Sequence, residues 1–280
     1  MDKLLAISCM LCIGINDYIF KVAADDNNGK SINIFYIIQT SFIMLICLIG
    51  LLVFKISLDL KSIINGLIIG VLSYITYLLL IKSLINNDAS YSITIYRLNF
   101  IVSVIFAVAF LNESIGIKKV FGILFCLLSL FIFSGIGKGS GLNLKNGLAI
   151  SIVACVLGGL LNSFNKIVVN QGIDTFSILF YRYIAVLILA LIPFTVKKEK
   201  VTLPRKQLIY GFMSGMFMLL SLYLFYTALR YGKVVTVMPI TQLSFVFTSV
   251  LSFMMLKEKL GWRKIAGICL SLGSIVMVSL

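Results

Sequence analysis

One stretch of this chain occurs twice. Leu111–Ile123 reads LNESIGIKKVFGI, and Leu256–Ile268, 145 positions further on, reads LKEKLGWRKIAGI. Leu111/Leu256, Glu113/Glu258, Gly116/Gly261, Lys119/Lys264, Gly122/Gly267 and Ile123/Ile268 are identical, and Lys118/Arg263 keeps its charge. The same offset, without a gap, pairs Gly14 with Gly159, Lys21 with Lys166, Phe35-Tyr36 with Phe180-Tyr181, Lys61 with Lys206 and Gly66 with Gly211. Apolar composition alone would match leucines, but it would not also align charges and glycines. The chain therefore reads as two copies of one unit, residues 1–135 and 146–280, joined by a connecting loop at 136–145 (IGKGSGLNLK).

Each unit holds five apolar runs. They fall at about 4–20, 32–54, 63–84, 89–111 and 117–135, then 148–168, 175–196, 208–229, 234–256 and 265–280. Such runs are long enough to cross a bilayer as helices. Hydrophobic residues make up 60% of the chain and charged residues 12%, about half the charge of a soluble domain. The first run carries Asp17, lacks a small-residue cleavage site and has a counterpart in the second unit, so it reads as a retained span. An odd number of spans per unit makes the second unit enter the membrane from the opposite side. The expected fold is an all-α polytopic membrane protein with ten transmembrane helices, arranged as two inverted five-helix repeats.

Composition also excludes function classes. The chain has no histidine, which removes His-dependent hydrolysis, His-ligated haem and most catalytic zinc sites. All six cysteines lie in apolar runs, where they read as small buried hydrophobes; Cys9 and Cys12 have no second pair with which to form a metal site. No phosphate-binding glycine loop of the Walker type is present. Neither a metal, a cofactor nor an enzyme activity is expected. The net charge of +14 resides mainly at the ends of apolar runs, where lysine and arginine meet headgroups. The partners expected are the lipid bilayer, a small-molecule substrate and a proton, with no nucleic acid.

The two LxExxGxxKxxGI stretches, the glycine-containing first helices ending in Lys21 and Lys166, and the segment TALRYGKVVTVMPI at 227–240 together resemble the drug/metabolite transporter superfamily, in its ten-helix type with two EamA-like repeats. Arg182 matches an arginine often found in the second helix of that repeat; the first unit has Ile37 there. The first unit also has Thr94 where the second has Pro239. The resemblance implies a metabolite permease or exporter in the cell membrane with cytoplasmic termini. The lysine and arginine count alone leans the other way, but most of it consists of matched pairs that cancel between inverted halves, so cytoplasmic termini are the expectation taken.

Charges inside apolar runs are expensive and mark function by default. Asp17 is the candidate for binding a substrate ammonium or taking up a driving proton; its counterpart is Asn162. As a structural group it would pair with Lys21 or Arg97. Arg97, whose counterpart is Gln242, offers five fixed donors to a carboxylate or phosphate, or to an acid of the protein. Arg182 could do likewise or reach the interface. Tyr77, Tyr96 and Tyr226 are candidate cavity walls; Tyr74/Tyr77 and Tyr223/Tyr226, each three apart, are expected to share a face. Glu113 and Glu258 are expected to cap the loop between the fourth and fifth helices of their own units. Lys21 and Lys166 are structural, and Pro239 is expected to kink the ninth helix, free a carbonyl and mark a gate through its asymmetry. These residues predict a secondary transporter for a small polar or amphipathic metabolite, amino-acid-like because an acid and an arginine occur together. Export of an organic cation is the alternative. A membrane enzyme or a non-transporting membrane protein is the rival of another class.

Overall fold

The computed structural model describes residues 1–25, 32–56, 59–86, 89–134, 147–197, 205–257 and 261–280. Glu258 and the connecting loop at 136–145 lie outside the described residues. Every regular element among those described is a helix. In order they are α1 (Asp2–Asp25), α2 (Ile32–Val53), α3 (Leu60–Asn86), α4 (Ala89–Arg97), α5 (Asn99–Phe110), α6 (Ile117–Ser134), α7 (Gly147–Asn170), α8 (Thr175–Lys197), α9 (Arg205–Tyr231), α10 (Val234–Gln242), α11 (Ser244–Leu256) and α12 (Trp262–Ser279). Among the described residues, nine spans are long and apolar enough to cross a membrane. In this set α4 and α5 are two parts of one span, as are α10 and α11. α6 is a further apolar helix of 18 residues. Asp side chains start two of the helices. The Ser62 amide donates to Asp59 Oδ1 (3.1 Å) at α3, and the Phe176 amide to Asp174 Oδ1 (2.8 Å) at α8, which satisfies N–H groups that have no partner within the helix. The Ser62 hydrogen bonds also hold the Asp59 carboxyl below its ordinary pKa.

The core is built between the two halves of the chain. α1 packs on α9, α10 and α11, and α7 packs on α3, α4 and α5. α2 lies on α8 and α9, α3 on α8, and α6 on α12. Phe100, Tyr226, Met238, Ile240 and Leu243 are fully buried where these helices meet. The outer surface is apolar as well: Leu52, Ile105, Ile188 and Val276 are exposed, as lipid requires of a spanning helix. Small residues set the closest approaches. Ser129 Oγ donates to the Gly267 carbonyl and Ser274 Oγ to that of Gly122, both at 2.7 Å. Each serine is the other's counterpart at the 145-residue offset, and so is each glycine.

This packing accounts for most of the duplicated stretch. Asn112 and Lys257, at matched positions, both adopt left-handed backbone (φ 52° and 53°) and close the helices before them. At the first of them the Glu113 amide returns to the Ala107 carbonyl (3.1 Å), a left-handed helix stop. Gly116 and Gly261 open α6 and α12, their carbonyls accepting from the Lys119 (3.0 Å) and Lys264 (2.9 Å) amides. Gly122 and Gly267 then bring those two helices together.

Candidate functional site

The fourth and ninth spans are both broken, at matched positions. Leu98 separates α4 from α5, and Leu243 separates α10 from α11. The Leu98 and Leu243 amides reach back only three residues, to Ile95 and Ile240, both at 3.1 Å; their own carbonyls accept from Ile101 (2.9 Å) and Val246 (3.0 Å). Such a tightened turn withdraws backbone groups from the regular ladder. Pro239 is not the origin of the break: α10 runs through it to Gln242, and the first half breaks identically with Thr94 in its place. The break in the ninth span is thus matched in the half that carries no proline.

The two breaks face each other across a polar cluster. Arg97 Nη1 donates to the Gln242 carbonyl (2.8 Å) and to Ser244 Oγ (3.1 Å), and Nη2 donates to Asp17 Oδ2 (3.2 Å). From the other half, Gln242 Nε2 donates to Asn99 Oδ1 (3.0 Å), and so does Asn162 Nδ2 (3.3 Å). The six residues form three pairs at the same offset: Asp17 with Asn162, Arg97 with Gln242, and Asn99 with Ser244. The contact of Arg97 with Ser244 is thus answered by that of Gln242 with Asn99. Two glycines let the first helix of each unit reach the opposite break. A Cβ on Gly14 would stand 3.0 Å from the Ser244 carbonyl; one on Gly159 would stand 2.6 Å from the Asn99 carbonyl.

Asp17 therefore pairs with Arg97 rather than standing alone, and Lys21 donates to Ser252 Oγ (3.4 Å). The Asp17 side chain is 34% exposed and that of Arg97 15%. A charge at membrane depth needs a partner or a water-filled cavity, and Asp17 and Arg97 supply each other with the first. Beside them, Asn16 accepts from Gln39 Nε2 (3.2 Å) and Ser214 Oγ (2.6 Å).

A second group surrounds Arg182. Its guanidinium is turned inward onto Tyr226, 5.7 Å from the Tyr183 ring centre, and does not reach for an interface. The Tyr226 hydroxyl donates to Asn165 Oδ1 (2.8 Å). Tyr77 stacks on Tyr36 at 4.3 Å, and its buried hydroxyl has no hydrogen-bond partner. Tyr96 lies within electrostatic reach of both Arg97 and Arg182 and packs beside Gly158, 3.2 Å from the place of its Cβ. Tyr223 and Tyr226 of α9 do not share a face: Tyr226 is fully buried and Tyr223 is 41% exposed. Three-residue spacing turns a helix by about 60° short of a full circle, enough to put one in the core and one outside.

On the side of the termini, long side chains tie the halves together. Glu113 accepts the Val234 (2.9 Å) and Val235 (3.0 Å) amides at the start of α10, so it caps a helix of the other half and not its own loop. Lys119 donates to Thr236 Oγ1 (2.9 Å), and Lys166 to the Leu229 (2.5 Å) and Gly232 (2.9 Å) carbonyls that end α9. Lys233 donates to Ser114 Oγ (3.1 Å). Glu113→Ala strands two amides of a buried helix start and is expected to cost about 1–3 kcal/mol. Glu113→Gln, which keeps one acceptor oxygen, should lose less. Thermal midpoints in detergent measure both.

A search for charges in apolar runs does not single out Asn99, Ser244, Asn16, Gln39, Asn165 or Tyr36. Polar residues matched to polar residues at the offset could find Asn99, Ser244 and Tyr36, whose counterpart is Tyr181, whereas Asn16, Gln39 and Asn165 stand opposite Leu161, Ile184 and Phe20 and carry no such signal.

The profile of the EamA-like transporter family matches the chain twice, over residues 3–135 and 145–280. No curated protein matches it. A solved structure titled "Crystal structure of protein" superposes with a TM-score of 0.83, covering 99% of this chain and 95% of that one at 12% identity; at that identity the likeness speaks for the fold. The chain belongs to the EamA-like transporter family of the drug/metabolite transporter superfamily, and is a membrane transporter rather than an enzyme.

Proposed function

We propose that the two halves are inverted copies related by a pseudo-two-fold axis in the membrane plane, and that the protein moves a small polar or amphipathic metabolite by alternating access at their junction. The single observation that carries this is the reciprocal cluster between the two helix breaks, in which each half presents the same positions to the other. Broken helices near the bilayer midplane free backbone and side-chain groups where a substrate passes. The Asp17–Arg97 pair stands in the open part of this cluster and is the coupling element. A proton or a substrate ammonium competes for Asp17, and releasing Arg97 loosens the contacts with Gln242 and Ser244. The ties from Glu113, Lys119, Lys166 and Lys233 close the terminus side, which faces the cytoplasm in this reading. An amino-acid-like zwitterion remains the first substrate class to test, and an organic cation the second.

The test is counterflow in liposomes of purified protein, with amino-acid and organic-cation panels, with and without a pH gradient. The expected result is exchange of one class, lost in Arg97→Gln and made insensitive to the gradient in Asp17→Asn. Exchange that ignores both substitutions would contradict the assigned site.

A further inference from the structure

We infer that the transported molecule carries an anionic group, a carboxylate or a phosphate, and that Arg182 rather than Arg97 receives it. This rests on the transporter reading above and names the chemistry of its substrate. The two arginines differ in one respect that decides their roles. The charge of Arg97 is neutralised by Asp17, and its Nη donors are taken by Asp17, Gln242 and Ser244. Among the described residues no carboxylate lies within ion-pair distance of Arg182. Its neighbours are neutral phenols: Tyr226 at the guanidinium, Tyr183 beside it, and Tyr36 within electrostatic reach. A guanidinium cannot shed its charge, so an unneutralised one inside a membrane span is a standing demand for an anion.

Two further donors are unsatisfied in the same region. Arg182 Nε and the Tyr77 hydroxyl are both buried without a hydrogen-bond partner, which is uncommon for buried polar atoms; Arg97 Nε shares this state, so the two arginines are told apart by charge neutralisation and not by their Nε. Tyr36, on whose ring Tyr77 stacks, lies within electrostatic reach of Arg182. Tyr226 is already oriented, because donating its proton to Asn165 leaves its oxygen as an acceptor for Arg182. The guanidinium is thereby positioned without being discharged. A carboxylate or phosphate matches its planar fork, and the Tyr36–Tyr77 stack supplies an aromatic wall for a flat organic body. Close backbone approach supports the arrangement: a Cβ on Gly70 would stand 2.5 Å from the Arg182 carbonyl, so α3 holds this turn of α8 in place.

The experiment is equilibrium binding of ring-matched probes to the purified full chain in detergent. 3-Phenylpropionate supplies a carboxylate, phenyl phosphate a phosphate, and phenethylamine a cation. The expected result is that at least one anion binds and the amine does not. The preferred anion separates the carboxylate source from the phosphate source. Arg182→Gln should weaken that anion by at least about thirtyfold, Arg182→Lys should retain part of the affinity, and Tyr77→Phe, which keeps the ring, should cost several-fold. Preference for phenethylamine overturns the inference. So does failure of both anions to bind at millimolar concentration, or anion binding that survives Arg182→Gln and Arg182→Lys in folded protein but is lost in Arg97→Gln. Anion binding that depends on Arg182, together with absent counterflow, would overturn the transport reading and leave the anion site standing.

Discussion

Asp17→Asn and Arg97→Gln are each expected to destabilise the protein by about 2–3 kcal/mol, and the double substitution by much less than their sum. Each single change leaves one charge at membrane depth without its partner, which costs about that amount at a helix centre. Removing both charges removes the penalty along with the attraction. The chain itself indicates that the neutral combination packs: the second half carries Asn162 and Gln242 at these positions, and both side chains are hydrogen-bonded to Asn99. The double substitution would give both halves the same residues. Function should not follow stability. The charge-free cluster still lacks the Arg97 guanidinium, so exchange should stay at the background level of Arg97→Gln. Thermal unfolding and counterflow on the three variants measure the two effects separately. Strict additivity of the stabilities would show that the ion pair contributes little.

Gly159→Ala should be among the most damaging single-methyl additions in the chain. Its Cβ would stand 2.4 Å from Val102 Cβ and 2.6 Å from the Asn99 carbonyl, the first a stiff β-branched centre and the second backbone. Relief requires α7 to move away from the break between α4 and α5, which pulls Asn162 off Asn99. Overpacking of this kind costs about 1–3 kcal/mol. The adjacent Gly158→Ala is the comparison: its Cβ meets the Tyr96 ring at 3.2 Å, the far end of a side chain that can give way. A clear drop in thermal midpoint and exchange for Gly159→Ala, with a small one for Gly158→Ala, is the expected outcome. Equal effects would place the sensitivity in helix propensity and not in this contact.

Much of this architecture is legible in the amino-acid sequence. The apolar runs locate the helices because the membrane tolerates few alternatives, and Asp17 and Arg97 stand out because charge in an apolar run is costly. Which group each of them meets is not legible. Helix periodicity gives neighbours along one helix, such as Asp17 and Lys21, whereas the partner chosen, Arg97, comes from another span. The helix break escapes the sequence for a related reason. Pro239 is the visible irregularity, yet the break lies beyond it at Leu243, and again at Leu98, where no proline signals it. Glu113 suits a helix start, as its sequence context suggests, but it serves α10 across the bundle, a pairing that exists only once the halves are interleaved. Arg182 lies near a helix end in sequence, which suggests snorkelling; the inward turn depends on Tyr226 being buried opposite it.

Cross-linking across the terminus side tests alternating access most directly. Ser114 and Lys233 face each other there, with Nζ 3.1 Å from Oγ. Cysteines at these two positions, in a chain whose native cysteines are replaced, can be joined by a short cleavable thiol cross-linker after reconstitution. Counterflow should fall to background when the bridge forms and return when it is cut, while either single cysteine is unaffected by the reagent. Undiminished counterflow in the fully bridged protein would contradict alternating access at this junction, because the seal would then not need to open for substrate to cross.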